Sequence, residues 1–128
     1  MSNLKGKDIL SGAQFSRDDI DAILNTADDF RKKLQKQPGL DLLKGYVMAA
    51  LFFEPSTRTR LSFETAMHRL GGTVIGFSSG ESTSISKGET LIDTIRTVDT
   101  YVDVFAMRHP AIGSAAQAAE VAVHPVLN

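Results

Sequence analysis

The 128-residue sequence contains no cysteine. That absence excludes disulfides, thiolate metal sites and cysteine nucleophiles, and it suits a reducing compartment. No run approaches the ~18 continuous apolar residues of a membrane-spanning helix. The N-terminal stretch MSNLKGKDIL has no apolar core long enough for a secretion signal. An excess of one charge is also missing: the formal net charge is -1, which argues against a general nucleic-acid or membrane surface. Several chemical signatures are absent too. There is no GxGxxG after a strand and no GxxxxGK phosphate loop. No His/Asp/Glu cluster has metal-ligand spacing, and Ser56 has no obvious histidine base, so a triad is unsupported. What is present is a globular composition, 42% hydrophobic and 23% charged, of a length that suits one domain with a core. A soluble cytoplasmic domain is the expectation.

Periodicity organises the chain. Ser16 is placed to cap a helix, with Asp18 and Asp19 in its first turn. Ile20, Ile23, Leu24, Ala27, Phe30 and Leu34 follow at helical spacing, Arg31, Lys32, Lys33 and Lys36 cluster near the end, and QPGL stops it. The run VMAALFF, 47–53, is apolar throughout, as expected of a strand buried on both faces of a parallel sheet. A helix over 57–70 presents Phe63, Ala66, Met67 and Leu70 on one face and ends at the glycine pair 71–72. TVIGF, 73–77, reads as a second strand. A polar loop, SSGESTSISKGET, leads into a helix over 89–100 with Leu91, Ile92, Ile95 and Val98 inward. VDVFAM, 102–107, is a third strand, RHPAIG a loop, SAAQAAEVA a short helix and PVLN a fourth strand. Strands alternating with helices predict an α/β fold: an open parallel sheet of about four strands, right-handed crossovers and helices on both faces, a three-layer αβα arrangement.

The stretch EPSTRTR, 54–60, stands where the first strand hands over to a helix. Ligands of open α/β sheets bind outside the carboxyl ends of the strands, and helix starts carry unpaired N–H groups that favour anions. Pro55 loses nothing at a helix start. Ser56, Thr57 and Thr59 add hydroxyls, and Arg58 adds a planar fork that matches phosphate oxygens. The combination predicts a phosphate pocket; the competing reading is a plain Ser56 cap beside a solvated Arg58. Arg60, Glu64 and His68 form an i, i+4, i+8 row, read as surface ion pairs worth ~0.2–0.5 kcal/mol each. Arg108 and His109 sit just beyond the third strand. Position alone leaves Arg108 open between a cation that polarises a carbonyl and a surface arginine. Lys87, in the polar loop, can close over an anionic ligand or be simply solvated, and spacing favours the second.

FFEPSTRTRLSFETAMHRLGG, SKGETLIDTIRTVDTYVDVFAMRHP and the closing PVLN resemble the N-terminal, carbamoyl-phosphate-binding domain of the aspartate carbamoyltransferase catalytic chain. The resemblance spans nearly the whole chain and is strongest from Phe52 to Pro110. STRTR marks the wider carbamoyltransferases, whereas the loop lysine of SKGET and the MRHP tail point to the aspartate branch.

The resemblance implies that Ser56, Thr57, Arg58 and Thr59 bind the phosphate of carbamoyl phosphate. It implies further that Thr59 and Arg108 reach and polarise the carbonyl, and that Glu54 braces a second domain. It implies that Ser84, with Ser86 as its rival, and Lys87 ride a mobile loop into a neighbouring subunit's site, where Lys87 meets phosphate and the aspartate carboxylate. The enzyme would be a homotrimer with shared sites, open to regulatory chains, with no metal or organic cofactor. Its reaction is carbamoyl transfer to L-aspartate, giving N-carbamoyl-L-aspartate and phosphate in pyrimidine biosynthesis. The family pattern continues with a His-Pro-Thr-Gln motif and an aspartate-binding domain that this sequence lacks. Residues 1–128 therefore read as the first domain, incomplete at its C-terminal end and inactive alone. His109 is expected to be structural and His124 a surface residue. An ornithine-type carbamoyltransferase, or a non-catalytic phosphate-binding or oligomerising fragment, is the alternative.

Overall fold

The computed structural model describes residues 3–78 and 83–128, apart from the side chains of Ile85 and Ser86. Helix α1 spans Arg17–Leu34, followed by strand β1, Val47–Phe52, helix α2, Thr57–Arg69, and strand β2, Thr73–Phe77. Helix α3, Leu91–Asp99, strand β3, Val104–Arg108, helix α4, Ser114–Val121, and strand β4, Val126–Leu127, complete the order. Two single turns of 3-10 helix, Gly12–Gln14 and Ser84–Lys87, were not expected from the pattern. The four strands form one parallel sheet in the order β2-β1-β3-β4. At its β4 edge Ile9 bridges Leu127, so the N-terminal segment lies beside the last strand.

The apolar run of β1 is buried because both faces of the sheet are covered. Ala49 and Leu51 pack with Phe105 and Met107 of β3, Ile95 of α3 and Ala118 of α4. Met48 points the other way, with Ala106, against Met67 and Phe63 of α2. The alternation follows from the two-residue period of a strand, and it gives the expected three layers.

The α1 start is built as its sequence implies. The Asp19 N–H donates to Ser16 Oγ (3.2 Å) and the Ser16 N–H donates to Asp19 Oδ2 (2.8 Å), a reciprocal capping box. Its apolar stripe is another matter: Ile20, Ile23 and Leu24 remain 41%, 40% and 59% exposed. In α3, Ile95 is fully buried as expected, but Ile92 is exposed. The third strand starts two residues later than expected. Asp103 is instead used as an acceptor, its Oδ2 taking the N–H of Val47 at 2.8 Å.

Candidate anion-binding site

The carboxyl ends of β1 and β3 are neighbours in the sheet, with Phe52 opposite Arg108. Arg108 is thus the last residue of its strand, not a loop residue beyond it as the sequence indicated. The Phe53 N–H donates to the Arg108 carbonyl (2.9 Å), which carries the pairing one residue past β1. From there the chain turns through Glu54 and Pro55 into α2.

Ser56 is the N-cap of α2, with extended backbone (φ -154°, ψ 97°), yet its hydroxyl makes no capping hydrogen bond. Among the described residues, no side chain occupies the first-turn amides of Thr57, Arg58 and Thr59. Of the competing reading, the serine-cap half therefore does not hold, whereas the solvated-Arg58 half does, since Arg58 is exposed. The Ser56 hydroxyl instead lies 3.5 Å from Nη1 of Arg108, at the outer limit of a hydrogen bond. Arg108 also donates through Nε to Glu54 Oε1. Both side chains of that pair are partly solvated, 51% and 29% exposed. The resemblance led us to expect Glu54 to brace a second domain; within this chain it holds Arg108.

Thr57 and Arg58 are exposed, Ser56 and Thr59 half-buried. The Arg58 guanidinium makes no hydrogen bond or ion pair among the described residues, and its carbonyl accepts from Ser62 Oγ (2.7 Å). Arg60 donates to Glu64 Oε1 at 2.7 Å, with both side chains half-buried. His68, the third member of the expected row, is exposed and joins no ion pair among the described residues. An open cleft of about 420 Å³ is lined by Pro55, Ser56, Thr57, Arg60, Leu61 and Ser78. Ser78 was not singled out from sequence. The available signal was its place directly after β2, on the same carboxyl edge of the sheet.

A larger groove, about 790 Å³, lies between α1 and α2. Its walls include Ala27, Phe30, Leu34, Leu61, Ala66 and Leu70. Arg31 and Arg69 also line it, but its walls are chiefly apolar, which does not suit a phosphate. The smaller cleft at the α2 start is the better candidate, although Arg58, Thr59 and Arg108 are not among its lining residues.

Ser84 and Lys87 begin and end the second 3-10 turn and are exposed. Among the described residues no hydrogen bond or ion pair joins them to the Ser56–Arg108 cluster. The side chain of Ser86, the rival to Ser84, lies outside the described residues, as does the loop segment 79–82. Glu89 secures the far end of the loop: its Oε1 accepts from the buried Thr94 hydroxyl at 2.5 Å. No three His, Asp or Glu among the described residues are grouped to hold a metal ion.

Beneath the cluster runs a row of rings, one from the end of each of three adjacent strands. Phe77 meets Phe53 edge-on, with centroids 5.2 Å apart at 87°. Phe53 in turn packs on the His109 imidazole, 4.8 Å away at 46°. Burial lowers the pKa of His109, and the field of Glu54 opposes that shift only in part. His109 is structural, as expected. His124 is not simply a surface residue: its Nδ1 lies 2.9 Å from Asp99 Oδ1.

A parallel α/β sheet whose central strands end at an uncapped helix start, beside an arginine from the adjoining strand, defines an anion-binding domain of the open-sheet class. Comparison with known proteins identifies the family. Residues 7–128 match the aspartate/ornithine carbamoyltransferase, carbamoyl-P binding domain, and the chain belongs to that family. It is 56% identical over 124 residues to the aspartate carbamoyltransferase catalytic subunit of Thermococcus kodakarensis, covering 97% of this chain and 40% of the relative. The corresponding subunit of Hyperthermus butylicus is 52% identical over 127 residues, again with 40% of its length covered. Among solved structures, aspartate transcarbamoylase from Trypanosoma cruzi in complex with carbamoyl phosphate and aspartate superposes with a TM-score of 0.93 at 52% identity. That match covers 98% of this chain and 39% of the other. The chain thus spans about 40% of the length of the relatives it matches. No helix among the described residues is long and apolar enough to cross a membrane.

Proposed function

We propose that this chain supplies the carbamoyl-phosphate-binding domain of an aspartate carbamoyltransferase, with the aspartate-binding part lying outside these residues. Phosphate is held by the free amides at the start of α2 and by Ser56, Thr57, Arg58 and Thr59. Thr59 and Arg108 reach the carbamoyl oxygen. The aspartate amine attacks the carbamoyl carbon, a tetrahedral intermediate forms, and the C–O bond to phosphate breaks as the amine passes its proton to the departing phosphate. The products are N-carbamoyl-L-aspartate and phosphate, a step of pyrimidine biosynthesis. Cations and helix amides stabilise the developing negative charge without a side-chain nucleophile.

The observation that carries this reading is the approach of Arg108, from β3, to Ser56 at the uncapped start of α2. The relatives' names and the bound carbamoyl phosphate and aspartate of the Trypanosoma cruzi enzyme support it. The family description spans the aspartate and ornithine branches, and the relatives at 51–56% identity are aspartate enzymes, which favours that branch. Among the described residues, no hydrogen bond or ion pair joins Ser84 or Lys87 to the cluster in their own chain. We therefore assign them to the site of a neighbouring subunit in a homotrimer, which regulatory chains can join, and place the enzyme in the cytoplasm.

Calorimetric titration with carbamoyl phosphate tests the site. Arg58→Ala is expected to weaken binding about tenfold to a hundredfold, the worth of a charge-assisted hydrogen bond. Equal affinity in wild type and variant would remove Arg58 from the pocket and this reading with it.

A further inference from the structure

The turn after β3 carries an arrangement that the proposed chemistry does not use. The Ala111 N–H donates to His109 Nδ1 at 3.0 Å. The Ser114 hydroxyl lies 3.0 Å from the same nitrogen and 2.8 Å from the Ala111 carbonyl. A ring nitrogen that accepts from a backbone amide carries no proton, so the imidazole is neutral with its hydrogen on Nε2. The single Ser114 proton is then directed to the Ala111 carbonyl. The ring thereby holds the Ala111 N–H, and Ser114 holds the Ala111 carbonyl.

The ring is also packed. It lies on Phe53, whose N–H is bonded to the Arg108 carbonyl. His109 therefore touches both sides of the β1–β3 junction from which Arg108 projects. Among the described residues, the charged side chain whose field acts on it is Glu54, from the β1–α2 turn, itself paired with Arg108. Residues 110–116 of the turn and α4 that line the adjoining cavity are uncharged, as is Leu10, while Asn128, also in the lining, carries the α-carboxylate of the 128-residue chain.

We propose that His109 is a positioning residue that, as a neutral Nε2–H imidazole, locks the turn after β3 and so fixes the aim of Arg108 at the anion site. The claim about Arg108's target rests on the reading above. Protonation puts a hydrogen on Nδ1, which turns the acceptor into a donor and sets it against the Ala111 N–H. The new donor can reach Ser114 Oγ, but Ala111 loses its partner and the turn loosens. Ser114 itself is buried, so the His109–Ser114 pair offers no accessible nucleophile.

Nitrogen-15 NMR of the 128-residue chain, with sulfate as a probe whose charge does not change near neutral pH, tests the proposal. The hydrogen should reside on Nε2 of His109, and the Ala111 amide should lose exchange protection as the ring protonates. His109→Phe keeps a ring but removes the acceptor. It should shift the Arg108 Nε resonance and weaken sulfate binding about tenfold, whereas His109→Asn, which restores an acceptor, stays within about threefold of wild type. A hydrogen on Nδ1 would overturn the proposal, as would an Arg108 resonance indifferent to both substitutions. Failure of wild type to bind sulfate would sink the anion-site reading instead, and the tautomer and Arg108 resonance would still decide the role of His109. Should His109→Phe not fold, the wild-type tautomer and the Arg108 resonance of the Asn variant decide that role.

Discussion

Arg108 is held by a carboxylate that competes with any bound anion. Its pair with Glu54 is half-solvated, and such pairs contribute no more than ~1 kcal/mol. An entering phosphate can displace Glu54 at little cost, but the carboxylate still repels it. Glu54→Gln removes both the competition and the repulsion while keeping an oxygen that can accept from Arg108. Phosphate binding by the variant should tighten by about two- to fivefold, within the worth of one exposed pair. Titration at low and high salt should show the gain shrinking as screening rises. Weaker binding would mean that Glu54 serves chiefly to orient Arg108. STRTR was legible because its residues are contiguous and sit at one helix start. The Glu54–Arg108 pair was not, since it joins residues 54 apart and depends on β1 lying beside β3. Alternation predicts strands and helices, but it does not predict which strands are neighbours.

The same limit and the same strength recur at the level of elements. Each expected strand is present; in β1 and β3 burial on both sheet faces leaves no polar alternation to confuse the pattern, whereas β2 is an edge strand without a buried residue. For α1 the stripe was legible and its environment was not. Periodicity reveals which face of a helix is apolar, not what covers it, and Ile20, Ile23 and Leu24 are exposed in this chain. Close approach of backbones is likewise invisible in composition. Gly76 of β2 pairs with Ala50 of β1, and a Cβ at position 76 would lie 2.0 Å from the Ala50 carbonyl oxygen. Gly76→Ala must push β2 away from the sheet, at a cost of about 2–3 kcal/mol or more. Gly113→Ala is the comparison: its φ is +84° but the space around it is open, so only the conformational cost of ~1–2 kcal/mol applies. Urea denaturation should rank Gly76→Ala as clearly the more destabilising. A reversed ranking would mean that β2 yields easily.

At the scale of the molecule, Asp99 and His109, at different edges of the sheet, tie stability to pH. Asp99, the last residue of α3, accepts from the N–H of Val123 (2.8 Å) and of His124 (3.2 Å) as well as meeting the His124 ring. These bonds pin the approach to β4. Burial by itself raises the Asp99 pKa, but the Val123 and His124 interactions outweigh it, and the net shift is below the ordinary 3.8. A carboxylate of this kind stabilises the fold above pH 3.8, and that contribution is lost as pH falls through the lower folded value. His109 is also depressed, chiefly by burial, from an ordinary value of 6.5. The unfolded chain therefore takes up this proton first, and stability declines from pH 6.5 downward until the folded ring protonates. The urea midpoint should accordingly begin to fall below pH 6.5 and fall further below pH 3.8. His109→Asn should reduce the upper decline and leave the lower, whereas Asp99→Asn should do the reverse. Among the described residues the two share no hydrogen-bond partner, so their effects should add in the double variant. An upper decline undiminished in His109→Asn would separate the turn at the anion site from acid sensitivity. Its disappearance would show that the neutral ring beneath Arg108 also steadies the sheet edge on which the site is built.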